Sequence, residues 1–71
     1  MTRQEAENEM VEGYRDGFDR LSPMPSGNRT NSYCHGFANG RADITHEPRG
    51  MTVAQLRDRA EDCILADTEQ R

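Results

Sequence analysis

Residues 12–18 read EGYRDGF, and residues 35–41 read HGFANGR. In each, an aromatic residue adjoins a glycine and a second glycine follows the first by four: Gly13 and Gly17, then Gly36 and Gly40. An interior helical glycine costs about 1 kcal/mol relative to alanine. Residues four apart share a helix face, and a missing side chain there admits a neighbouring backbone or ring. Tyr14 and Phe18 are spaced i, i+4, as are Tyr33 and Phe37, so bulk and notch alternate in both segments. The reading is an all-α fold: an antiparallel α-hairpin in which rings of one helix enter glycine notches of the other, with a third helix laid across it.

Working outward, the first helix is predicted over about 3–21. Thr2 and Glu5 form the S/T-x-x-E capping box, and Ala6, Met10, Tyr14, Phe18 and Leu21 make one stripe. Residues 22–28, SPMPSGN, are a loop by composition, and the residue before a proline avoids the α region. The second helix is predicted over about 30–44, with Asn28, Thr30 and Asn31 as alternative caps. The third is predicted over about 52–68, started by a Thr52–Gln55 box and carrying Val53, Leu56, Ala60, Cys63 and Ile64 on one side. No stretch alternates with period two, so no sheet is expected.

With 71 residues, 32% hydrophobic and 31% charged, the chain is one small domain with a thin core. It has no apolar run long enough for a membrane span and no secretory leader pattern, so a cytoplasmic location is expected. The two cysteines, Cys34 and Cys63, read as buried free thiols. His35 and His46 lack partners at a zinc spacing, so neither metal nor cofactor is expected. Cys34 and His35 are adjacent and diverge by about 100° on a helix, which opposes a catalytic dyad; an enzyme with a small-molecule substrate is not expected. Net charge is −4, distributed as −3 over residues 1–21, +1 over 22–50 and −2 over 51–71. All nine basic residues are arginine, a bias that a GC-rich genome produces unaided.

Gly13-Tyr14-Arg15-Asp16-Gly17, the Ser22-Pro23 linker and the run NRTNSYCHGF at 28–37, with Asn28, Tyr33, Gly36 and Phe37, resemble the ribosome modulation factor family. The resemblance covers roughly residues 8–43. It implies two helices joined by a proline-containing linker, and binding to the small ribosomal subunit that promotes inactive, paired ribosomes in slow growth. The chain differs from the family in being acidic, in having Tyr33 and Phe37 where tryptophan is usual, and in its third helix.

Two partner classes follow. For a ribosome or another ribonucleoprotein, the contacts expected are Arg29, Arg41 and Arg49, with Tyr33 stacking on a base. For an acidic inhibitor of a host protein, such as a nucleic-acid-binding defence complex, they are Glu5, Glu9, Glu12, Asp16 and Asp19, a carboxylate face able to mimic a phosphate backbone. Gly13, Tyr14, Gly17, Phe18, Tyr33, Gly36, Phe37 and Gly40 are assigned to structure. A homodimer through Leu56, Ala60 and Ile64 is compatible with either class.

Overall fold

The computed structural model describes residues 1–46 and 51–68. Those residues form three helices and no strand: α1 (Arg3–Gly17), α2 (Asn31–Thr45) and α3 (Val53–Thr68). The fold is all-α, as the periodicity implies.

Both predicted capping boxes form. Thr2 Oγ1 accepts from the Glu5 N–H at 3.1 Å while Glu5 Oε1 accepts from the Thr2 N–H at 2.8 Å. Thr52 and Gln55 repeat the exchange at 3.1 and 2.9 Å. Helix α2 is capped by Thr30, whose hydroxyl accepts from the Tyr33 N–H at 3.1 Å. It ends at His46, in the left-handed region at φ 57°. Helix α1 stops at Gly17, short of the predicted residue 21. Two contacts turn the chain there. Asp19 Oδ1 accepts from the Leu21 N–H at 3.0 Å, an Asx turn. The Arg41 guanidinium, from α2, donates to the carbonyls of Gly17, Asp19 and Ser22 at 2.9, 3.2 and 2.8 Å.

The α1–α2 seam corrects the expected hairpin. A β-carbon built on Gly36 would lie 2.0 Å from the carbonyl oxygen of Met10, and one on Gly40 would lie 2.2 Å from that of Tyr14. Built on Gly13 and Gly17, it would lie 2.1 Å from the carbonyl oxygens of Tyr33 and Phe37 respectively. A step of four forward in one helix therefore matches a step of four forward in the other, so the helices run parallel. The linker returns the chain alongside α1 to make this possible. Each glycine notch holds a backbone carbonyl rather than a ring, with its oxygen against the glycine Cα–H. Rows of i, i+4 residues on both partners are the packing class whose crossing angles cluster near about −50°.

Above this seam the two tyrosines exchange partners. Tyr14 of α1 donates its hydroxyl to Asp43 of α2, and Tyr33 of α2 donates to Asp16 of α1. The bond to Asp16, with burial, pushes the Tyr33 phenol above its usual range. Ala6, Tyr33, Phe37 and Ile64 are the buried hydrophobic side chains among the described residues.

Helix α3 runs antiparallel to α2. At one end Asp67 meets Asn31 and Ser32. Towards the other, Leu56 and Met51 share a groove with Ala38 and Ala42. A bidentate pair from Arg3 to Glu61, 2.7 Å on both arms, ties α3 to α1. Ile64, proposed above for a dimer face, is 6% exposed within the single chain, and Leu56 and Ala60 are half-buried.

Candidate functional site

Two of the basic residues singled out for RNA contact, Arg29 and Arg41, have partners within the chain. Arg41 closes the end of α1, as described. Arg29 lies over the Tyr33 ring, 3.7 Å from its centroid, and pairs with Glu12 at 3.7 Å. Tyr33, expected to stack on a base, is 7% exposed and has Arg29 above it. Arg49 lies outside the described residues. Replacing Arg41 with alanine is expected to lower stability by about 1 kcal/mol, since three carbonyls lose a charged donor; urea denaturation followed by helical circular dichroism measures it.

The carboxylates singled out as a phosphate mimic are likewise engaged. Glu5 completes the first capping box, and the Thr2 backbone and side-chain bonds hold its pKa below the usual carboxylate range. Glu9 accepts from the Thr30 hydroxyl at 3.1 Å, Glu12 pairs with Arg29, Asp16 accepts from Tyr33, and Asp19 shapes the turn. Glu9, Glu12 and Asp16 thus each reach a residue at the start of α2, while the Glu12 side chain stays 58% exposed.

Four of the exposed large apolar side chains fall along one stretch of chain. Val11, Tyr14 and Phe18 are 53%, 38% and 51% exposed, and fall at i, i+3 and i+7 on or just beyond α1. Leu21 follows in the turn at 92%. The Tyr14 and Phe18 rings stack on each other with centroids 5.9 Å apart. Arg15 and Arg20 are exposed on the same stretch. Aromatic residues and arginine on an exposed apolar ridge are the composition of a protein-binding patch.

Reading the sequence placed Tyr14 and Phe18 inside. The available signal was the glycines: they mark the contact face, and Tyr14 and Phe18 each sit one residue after a glycine, about 100° off it. Phe37 holds the matching position on α2 but is covered, with Arg41 over its ring at 5.0 Å.

Among the described residues, no cluster of three or more histidine, cysteine or carboxylate side chains could hold a metal ion, and no helix is long and apolar enough to cross a membrane. No protein-family model matches this chain, and neither a curated protein nor a solved structure matches it significantly.

Proposed function

We propose that this chain is a small, non-catalytic cytoplasmic regulator that binds a ribosome or another ribonucleoprotein, and that it docks through the Val11–Tyr14–Phe18–Leu21 ridge. The observation that carries this reading is the exposure of Val11, Tyr14, Phe18 and Leu21 along one stretch of chain, with the Tyr14 and Phe18 rings stacked, in a domain with so little buried apolar surface. Two things support the ribonucleoprotein as partner. The residues that resemble the ribosome modulation factor family, Gly13, Tyr14, Gly17, Tyr33, Gly36 and Phe37, are also the ones that build the α1–α2 seam. The ridge is mounted on that seam. With Arg29 and Arg41 engaged internally, the contact is directed at a protein component of the particle more than at phosphate.

The test is co-sedimentation with ribosomal particles from exponential and stationary cells. Wild type is expected in the particle fractions, most strongly in stationary phase. Phe18→Asp is expected to weaken retention about 10-fold or more. Phe18 is half exposed but stacks on Tyr14 and caps α1, so the same change is expected to cost about 1 kcal/mol, and circular dichroism checks that the variant is folded. Absence of wild type from every ribosomal fraction, with recovery of one unrelated protein in a pull-down, overturns the ribosomal reading. The acidic-inhibitor reading has less support, since Glu9, Glu12 and Asp16 are committed to holding α2.

A further inference from the structure

Helices α2 and α3 run antiparallel and are anchored where Asp67 Oδ1 accepts from the Asn31 N–H at 3.1 Å. One turn along α2 from that anchor is Cys34. One turn back along α3 is Cys63. The two therefore lie in the same layer of the pair, and both line one groove of about 480 Å³ together with Asn31, Ala38 and Arg59. Both are free thiols, and they differ from the buried pair expected from sequence: Cys34 is exposed and Cys63 half-buried.

We propose that Cys34 and Cys63 are a dithiol pair that a small-molecule disulfide converts into an intramolecular bridge, fastening α3 to α2. The inference is independent of what the ridge binds.

Accessibility sets the order of events. Cys34 meets solvent and reacts first. Its thiolate attacks one sulfur of glutathione disulfide, the S–S bond breaks, and one glutathione leaves as thiolate. Cys63 is the resolving residue. Burial, then the charge of Asp67, pushes its thiol up, which keeps it protonated and slow towards external disulfides. Once Cys34 carries glutathione, Cys63 faces a disulfide sulfur across the groove. It gives its proton to solvent and attacks Cys34 Sγ, and the second glutathione departs. Two protein thiols are oxidised and one glutathione disulfide becomes two glutathiones. A disulfide needs Cα atoms about 4.4–6.8 Å apart, closer than the 8–10 Å axial spacing of packed helices. Small residues lining the same groove, Ala38 and Ala42, leave room for that approach. Helix α3 is also lightly seated, with Ile64 its one buried residue among those described.

The experiment treats the reduced full-length chain with excess glutathione disulfide, quenches in acid at intervals and reads intact mass. The expected product is the monomer lighter by two hydrogens, with the glutathione adduct only transient. Cys63→Ser is expected to stop at one stable adduct, on Cys34. In guanidinium chloride, where the fold no longer juxtaposes the thiols, the wild-type adduct is expected to persist roughly 10-fold longer than in native buffer. A stable adduct on Cys34 of the native wild type, adducts on both cysteines, unreacted thiols, a bridge between two chains, or equal adduct lifetimes with and without denaturant each overturn the proposal.

Discussion

Gly36→Ala, the smallest side-chain addition available, is expected to lower the thermal midpoint by roughly 10–20 °C, corresponding to about 2–3 kcal/mol at the slope typical of a domain this size. Helix propensity alone gives the opposite sign, since alanine in a helix interior gains about 1 kcal/mol over glycine. The seam decides the outcome. The added β-carbon would lie 2.0 Å from Met10 O, 2.9 Å from Met10 C and 3.0 Å from Tyr14 N. All three are backbone atoms of a hydrogen-bonded helix, so no rotamer change relieves the clash and α1 must move bodily away. That motion draws Gly13 and Gly17 off the carbonyls of Tyr33 and Phe37, and stretches the Tyr14–Asp43 and Tyr33–Asp16 bonds together. A total stability of about 0.05–0.15 kcal/mol per residue leaves little reserve against such a loss. Gly17→Leu, with its larger side chain, is expected to prevent α1–α2 pairing altogether. The control is Gly27→Ala, where nothing lies within 4 Å of the added carbon and the midpoint should stay in place. Thermal melts by circular dichroism compare them directly; a Gly36→Ala chain as stable as wild type would refute reciprocal backbone contact as the source of the pairing.

The same seam shows how far the sequence is readable. Helix existence, two of the caps and the importance of Gly13, Gly17, Gly36 and Gly40 follow from periodicity and spacing. Direction does not. A Gly-x-x-x-Gly row reads the same from either end, so it fits a parallel or an antiparallel partner. Only the linker's capacity to run back along α1 separates them, and composition says nothing of its path. What fills a notch is hidden for the same reason, because carbonyls are present at every position and leave no trace in residue type. The internal contacts of Arg29 and Arg41 could not be read from local charge. Their partners, the Tyr33 ring and the carbonyls that end α1, are distant in sequence and exist only once the helices meet. Val11, Tyr14, Phe18 and Leu21 show the converse. Their helical spacing marks an apolar stripe, but no further element among the described residues covers it.

Asp67→Ala is expected to release the end of α3 from α2 and to destabilise the domain by roughly 1–2 kcal/mol. Asp67 supplies from α3 what a local cap would ordinarily supply. Its Oδ1 accepts from the Asn31 N–H at 3.1 Å and from Asn31 Nδ2 at 3.2 Å, while Oδ2 accepts from the Ser32 N–H at 2.6 Å. With Thr30 on the Tyr33 N–H, the first three amides of α2 are all satisfied. A negative charge there also sits favourably at the positive end of the helix dipole. Burial raises the Asp67 pKa, but hydrogen bonds from Ser32 and Asn31 outweigh it, and the net shift is downward. The pH dependence follows. A carboxyl with a folded pKa below its unfolded value binds more protons when unfolded, so its contribution is complete above the unfolded value of about 3.9 and fades as pH falls through the folded one. Glu5 and Glu61, also held low, by Thr2 and by Arg3 respectively, act in the same sense. The difference between wild type and Asp67→Asn isolates Asp67, since asparagine keeps the shape without titrating. That difference should be largest near neutrality and shrink towards pH 3. Hydrogen exchange locates the effect: the Asn31 and Ser32 amides should lose protection in Asp67→Ala while the Tyr33 amide, capped by Thr30, keeps more of its own. If all three amides were as protected in the variant as in wild type, Asp67 would not be what secures α3 to the start of α2.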